Sequence, residues 1–302
     1  MSCLVCGCQD KLLWSEVTDV EYFTTKDRFI YNRCVKCHAL SIDPVPEERL
    51  NEIYPANYYS FSPINHSLVA KLKTTLDKLL FRSILKPMVG KELSALDIGG
   101  GTGWLLTQAR EIEPRLSQTM VVDIDSTAAN IARVNGHDYF CGRIEDFSSS
   151  LRFDLILMLN IIEHVKDPIL VLKAASRLLK PKGRILLKTP NYDSLDARLF
   201  KESYWGGLHC PRHWVVFTPP SLRHAVNAAG LQTFRISLTQ GGPFWAWSIM
   251  NQLHSAGLVK IDASRPMCYH TLTGILQALF AAFDFARKPF SKTSQMFAVL
   301  GR

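Results

Sequence analysis

Apolar and polar positions along this chain follow two periods, and the place where one gives way to the other divides it. Between residues 10 and 43, Trp14, Val17, Tyr22, Phe23, Phe29, Ile30 and Tyr31 fall in short aromatic and β-branched clusters, which predicts the short strands of a small ribbon. Over residues 68–88 the apolar positions 68, 69, 72, 76, 79, 80, 84 and 85 make a helical stripe, with Lys71, Lys73, Lys78, Arg82 and Lys86 largely elsewhere on the wheel. Strands and helices then alternate. Strands are predicted at 94–98, 117–123, 138–141, 152–159, 184–189 and 232–238, and the near-continuous apolar run at 152–159 suits a buried parallel strand. Helices are predicted between them, one opened by Asp167-Pro168 and running to Leu179, where Lys180-Pro181-Lys182-Gly183 stops it. Another is capped by Thr218-Pro219-Pro220 and closed by Gly230. This order predicts an α/β protein with a doubly wound, mostly parallel sheet.

The stretch that fixes the chemistry is Asp97-Ile98-Gly99-Gly100-Gly101-Thr102-Gly103-Trp104, where a short strand ends in an acid and breaks into glycines before a helix. Glycine tolerates positive φ in such a turn and lets a ligand lie against the backbone, while the free N–H groups of the helix point at it. A dinucleotide fold would want G-x-G-x-x-G, and its third glycine would fall on Trp104. The glycines stand instead at 99, 101 and 103. Asp123 ends the second strand about 20 residues further on, where a carboxylate can accept both ribose hydroxyls of a nucleoside. Asp125 suits the cap of the next helix better.

Cysteine usage adds a second element. Two C-x-x-C pairs, Cys3/Cys6 and Cys34/Cys37, flank the ribbon, and four thiolates suit a closed tetrahedral Zn²⁺ site that does no Lewis-acid chemistry. So short a module needs such a staple to fold. Cys8 and His38 sit beside the pairs as possible substitutes. Eight cysteines with four in C-x-x-C pairs argue for metal in a reducing compartment over a disulfide framework, and with an N-terminus that shows no charged and apolar leader they lead us to expect a cytoplasmic protein. The chain has 302 residues, 47% of them hydrophobic, and a net charge of +8, which is compatible with nucleic acid, an anionic sugar nucleotide or an anionic membrane surface without selecting one.

The acid-x-G-x-G-x-G turn resembles motif I of class I S-adenosylmethionine-dependent methyltransferases. Glu163-His164-Val165-Lys166-Asp167-Pro168, Leu179-Lys180-Pro181-Lys182-Gly183 and Thr189-Pro190-Asn191 resemble the matching segments of the quinone-type and sugar-type members. The resemblance covers roughly residues 90–235 and implies a seven-stranded, Rossmann-like sheet whose last strand, here 295–300, returns antiparallel. It implies S-adenosylmethionine as cofactor, with Asp97, Gly99, Gly101, Gly103 and Asp123 around it. Gly142 to Phe147 match the loop that holds adenine, so Ile144 would pack on the ring while Glu145 or Asp146 reads the exocyclic amine. Asn160, at the end of the fourth strand, completes the cofactor set. Family members with an N-terminal zinc ribbon act on nucleotide-linked deoxysugars or are associated with surface polysaccharides. Those deoxysugar C-methyltransferases carry a further C-terminal domain that is not found here, which favours oxygen over carbon as the acceptor atom.

The resulting division is a zinc ribbon at 1–45, a linker and amphipathic helix at 46–90, and a methyltransferase domain at 91–302 with a helical insertion at about 241–290. Tyr54, Tyr58 and Tyr59 in the linker either pack the ribbon onto the main domain or line its pocket. The insertion places 272, 275, 276, 279, 280 and 283 on one apolar face, and Asp284 and Arg287 interrupt it before the roughly 20 residues a spanning helix needs. It is either a cap over the active site or an interfacial helix; peripheral membrane contact is expected through 68–88 or 271–287. The predicted reaction is methyl transfer to a hydroxyl, or to carbon, of a small-molecule, sugar or lipid-linked glycan acceptor. Its base is sought among His213, His209 and His164, in that order, because an imidazole can accept a proton at neutral pH. The i, i+4 spacing of His209 and His213 invites a metal, but Pro211 disfavours the helical face on which such a pair converges. An RNA methyltransferase gripping through the ribbon is disfavoured by the spread of basic residues, and a non-catalytic scaffold by the intact glycine turn.

Overall fold

The computed structural model describes residues 2–58, 78 and 81–302. Three N-terminal strands, β1 (Lys11–Val17), β2 (Phe29–Cys34) and β3 (Leu40–Asp43), form an antiparallel meander. A helical turn, α1 (Leu50–Ile53), leads into the linker. Most of the helix expected over 68–88 lies outside the described residues; 81–85 are helical, and Phe81 and Leu85 are buried in the main core.

The main sheet begins with β4 (Leu93–Ile98), α2 (Trp104–Ile112), β5 (Leu116–Asp123), α3 (Ala128–Val134), β6 (Asp138–Cys141), β7 (Phe153–Leu159), α4 (Pro168–Leu178) and β8 (Leu179–Pro190). The chain continues through α5 (Leu195–Leu199), β9 (Val215–Val216), α6 (Pro219–Ala228), β10 (Gln232–Thr239), α7 (Gly242–Ser255), α8 (Thr271–Arg287) and β11 (Gln295–Gly301). Seven strands pair in the order β10-β11-β8-β7-β4-β5-β6, with β4 to β8 parallel and β11 antiparallel to both its neighbours. All six residues of β4 are buried, as a central strand covered on both faces requires.

Local chemistry explains most boundaries. The Asp167 side chain accepts from Leu170 N ahead of Pro168, and Thr218 with Ser221 closes a capping box at α6. One boundary differs. Lys180-Pro181-Lys182-Gly183 does not separate α4 from the fifth strand, because Leu179 already pairs with Phe153 and Lys180 Nζ reaches Asp154 at 2.7 Å. The strand therefore starts about five residues early.

Strand β9 does not join the main sheet. Leu40 and Ser41 of β3 pair with Val216 and Val215, so a segment from beyond β8 completes the N-terminal sheet in the order β1-β2-β3-β9. The two sheets also share a core: Cys3, Val5, Cys34 and Cys37 lie in one apolar cluster with Leu96, Val122, Val215 and Phe217.

Candidate functional site

The glycine turn sits at the carboxyl end of β4. Gly99, Gly101 and Gly103 all have positive φ, at +72°, +51° and +74°. A Cβ on Gly99 would lie 2.7 Å from Ile161 Cδ1, and one on Gly103 would run into the His137 ring, whereas one on Gly101 would meet nothing within 4 Å. Gly101 thus faces open space. Asp123 accepts from Gly101 N at 2.8 Å and from Asp125 N at 2.9 Å, which ties the second strand end to the turn and leaves each oxygen a further lone pair. Asp97 is buried, burial and the neighbouring Asp123 push its carboxyl well above the usual range, and its Oδ2 has no hydrogen-bond partner. A cationic ligand beside the turn would supply what that carboxylate lacks. The open space at Gly101 and the orphaned acid fit S-adenosylmethionine, whose sulfonium and ammonium groups are both positive.

The remaining residues of the predicted cofactor set are spread around this turn. Asn160 is exposed at the end of β7 with φ +56°, and its Oδ1 accepts from Gln295 Nε2 at 2.9 Å. Glu145 is half-buried and Asp146 exposed. Ile144 is buried in one cluster with Ile98 and Val122, under the loop 142–147.

Beyond Ile161, the 3₁₀ turn Ile162–His164 delivers Glu163 and His164 toward the irregular loop 204–214. There the three candidate histidines gather: ring centroids are 4.7 Å apart for His164 and His213, 5.0 Å for His209 and His213, and 6.4 Å for His164 and His209. His213 Nδ1 donates to Gly207 O at 2.8 Å, and its Nε2 faces Glu163 Oε1 at 4.0 Å. His164 Nδ1 donates to Arg212 O at 3.0 Å with the Tyr54 hydroxyl 2.9 Å away. His209 Nδ1 donates to the Glu21 carboxylate and its Nε2 accepts from the Tyr58 hydroxyl at 3.0 Å, while its ring stacks on Trp247 of α7. His209 and His213 are buried, and His164 is half-buried. Burial lowers the pKa of His164 to about 3 and holds that of His213 well below the ordinary value, so both imidazoles are neutral at pH 7.

Several residues of this cluster were given no role by the sequence. Glu21 accepts from both His209 and the Tyr204 hydroxyl, and Asp19 pairs at 2.8 Å with Arg212, both side chains being fully buried. Arg212 also donates to Ile53 O at 2.7 Å and lies over the Tyr22 ring. Glu163 is fully buried, with Thr189 donating to one oxygen at 2.9 Å and the other without a partner; burial pushes its carboxyl up to about 8. Glu163, His164 and His213 bring their donor atoms within 4.8 Å of one another, one of two such groups with metal-ligating chemistry among the described residues. The other is the cysteine set. Cys3 and Cys37 sulfurs lie 3.6 Å apart and those of Cys6 and Cys34 3.5 Å, all four within 4.8 Å of one another.

A family model described as a methyltransferase domain matches residues 65–235, over half of the chain. Ubiquinone biosynthesis O-methyltransferase of Nitrobacter winogradskyi is 37% identical over 188 residues, which cover 57% of this chain and 69% of that enzyme. Among solved structures, coclaurine N-methyltransferase bound to N-methylheliamine and SAH aligns over 85% of this chain and 81% of its own, with a TM-score of 0.53 at 13% identity. A putative sarcosine dimethylglycine methyltransferase from Galdieria sulphuraria aligns over 81% and 95%, with a TM-score of 0.54 at 11% identity. At such identities these two attest to the fold alone. The chain belongs to the methyltransferase-domain family and is a class I S-adenosylmethionine-dependent methyltransferase. Among the described residues, no helix is long and apolar enough to cross a membrane.

Proposed function

We propose that the protein methylates a hydroxyl oxygen of a small organic acceptor, with the histidine cluster receiving the hydroxyl proton. The observation that carries this reading is the gathering of His164, His209 and His213, with Glu163 beside His164 and His213 and two residues beyond the Ile161 side chain that packs against the Gly99 turn. S-adenosylmethionine supplies, when bound, a methyl group already activated on a sulfonium. What remains for the protein is to position the acceptor and take its proton. A relative named for ubiquinone O-methylation at 37% identity supports oxygen as the acceptor atom, and the small hydroxylated acceptors in view are a quinone-type phenol, a sugar or a lipid-linked glycan.

Burial sorts the three histidines. His164 is half-buried and, with Nδ1 donating to Arg212 O, keeps its Nε2 lone pair; it is the one we assign contact with the acceptor. His213 stands behind it, oriented by Gly207 O toward Glu163, whose ionisation would counter a proton arriving on the imidazoles. His209, engaged by Glu21 and Tyr58, is a positioning residue. Gly99, Gly101, Gly103, Asp97 and Asp123 cradle the cofactor, with Ile144, Glu145 and Asn160 at its adenine side.

We further assign a structural Zn²⁺ to Cys3, Cys6, Cys34 and Cys37, since tetrahedral Zn–S bonds of about 2.3 Å place sulfurs roughly 3.8 Å apart, close to the separations of the two pairs. The ribbon, a four-stranded unit stapled at one end, is then a structural element of the enzyme and not a nucleic-acid grip.

The test is a labelled-donor assay against phenolic quinone precursors, sugar nucleotides, lipid-linked glycans and bulk RNA. Transfer to a hydroxylated small molecule is expected, and His164→Ala should lower turnover by about 10² to 10⁴ with S-adenosylhomocysteine affinity unchanged. Label appearing only in RNA, or full turnover in His164→Ala, would overturn the respective assignment.

A further inference from the structure

Helix α8 is turned the opposite way from its polarity. Its three buried residues are Thr273, Asp284 and Arg287. Asp284 accepts from Gly241 N at 2.7 Å, from Trp245 Nε1 at 3.1 Å and from Arg287 Nε at 2.7 Å, and Arg287 continues to Ser291 and Lys292 O. Phe280 stacks on Trp245, and Leu272 and Leu276 pack on a small cluster under α7. The opposite arc of the helix carries no charged residue and looks outward: Ile275 and Leu279 are each 60% exposed and Phe285 79%, with Ala278, Ala282 and Ala286 between them. Phe290, just past the helix, is 89% exposed. A polar network inside and an unbroken apolar stripe outside mean that this helix is fixed to the protein by its ions and offers its hydrophobic side to something else.

The charges around the stripe say what that is. Lys260 and Arg265 precede the helix and Lys288 and Lys292 follow it, all exposed, against the single acid Asp262. At its C-terminal end a hollow of about 400 Å³ is lined by Leu195, Arg198, Lys288, Phe290 and Lys292 among others, three cations beside apolar side chains. Asp193 pairs with Arg198 and Lys292, which leaves the hollow net positive. Apolar surface between cationic ends fits a layer that is anionic at its face and hydrocarbon beneath. A second copy of the chain would bring the same positive ends together.

We propose that the outward face of α8 docks in the plane of an anionic phospholipid bilayer, with Ile275, Leu279, Phe285 and Phe290 entering the acyl boundary and Lys260, Lys288 and Lys292 at the headgroups. The helix lies on the surface, held along its length by Asp284, Arg287 and the Trp245–Phe280 stack. The α7 helix under α8 meets Phe280 through Trp245 and His209 through Trp247, so the docked face and the histidine cluster lie on opposite sides of the α7–α8 pair.

Sedimentation of the full chain with phosphatidylcholine vesicles, with and without about 30% phosphatidylglycerol, tests this directly. The wild type should bind the anionic vesicles, less so as salt is raised. The triple variant Ile275→Glu/Leu279→Glu/Phe285→Glu should bind at least about tenfold more weakly, and Lys260→Glu/Lys288→Glu should weaken binding and flatten its salt dependence. Both variants should keep wild-type S-adenosylhomocysteine affinity, since all of these side chains are exposed on α8 and its flanks and none belongs to the cofactor set. Equal binding by wild type and both variants overturns the proposal. So does a dimer in light scattering that the triple variant dissolves while no form binds vesicles.

Discussion

Glu163 is buried on the 3₁₀ turn that follows β7, with one oxygen bonded to Thr189 and the other bare, and this has a pH signature. Its folded-state pKa is raised by burial from 4.5 to about 8, so between those values the native chain holds a proton that the unfolded chain has lost. The stability this group contributes is present below pH 4.5 and lost as pH rises toward about 8. Glu163→Gln cannot ionise, so in denaturant titrations the wild type should lose stability relative to the variant, by up to about 4 kcal/mol, on going from about pH 5 to about pH 8. Parallel pH profiles would mean that Glu163 is already ionised in the native state. Single residues were the least legible part of the sequence. His209 and His213 stand among Tyr204, Trp205 and Trp214 and His164 follows the fourth strand, which let them be named; Glu163 could be quoted beside His164 but given no role, and Glu21 and Asp19 could not be named. Glu21 meets His209 across 188 residues, and an acid looks solvent-directed until the fold closes over it.

Glycines within one turn have different duties. At Gly101 a methyl would meet no atom, so Gly101→Ala costs only left-handed strain, about 1 to 2 kcal/mol, yet it fills the space against which a ligand would lie. Cofactor affinity should fall at least about tenfold with the fold retained. Gly103→Ala drives its methyl into His137, whose ring is fixed by Thr107 and Thr119, and should cost about 2 to 4 kcal/mol of stability. Calorimetry with S-adenosylhomocysteine and thermal melts separate the two; wild-type affinity in Gly101→Ala would move the cofactor elsewhere. Elements of the main sheet were legible because each is local: a period-two or continuous apolar run, a cap, a glycine. Helix α8 was not, although its extent was. Period 3.6 identifies an apolar face without saying which side the protein occupies, and here Asp284 finds buried partners on α7 and its approach, and holds Arg287 beside it, in a way that no window of the sequence displays.

Across the whole molecule, the cysteine set and the histidine cluster are coupled through β9. Tyr31 of β2 donates to Leu208 O at 3.1 Å and to His213 O at 2.7 Å, and Ile42 N donates to Trp214 O at 2.9 Å, so the loop bearing His209 and His213 is held against the ribbon and runs directly into its fourth strand. If the cysteine set holds the proposed Zn²⁺, Cys34→Ser/Cys37→Ser should therefore lose metal, by elemental analysis, and turnover together. Metal loss with turnover intact would uncouple them; full metal content would place the ion on other ligands. The sequence divided the chain at residue 45, and nothing in it announced that two residues near position 215 pair with the ribbon, since strand partners far apart leave no periodic trace. The shared strand also makes the ribbon impossible to remove cleanly. A chain beginning after residue 45 would expose the edge of Val215–Val216 and strand Arg212 in the interior without Asp19. Supplied separately, the first 45 residues would have one place to bind and a reason to bind it, so that the enzyme, cut at that linker, becomes two silent halves whose reunion is reported by catalysis.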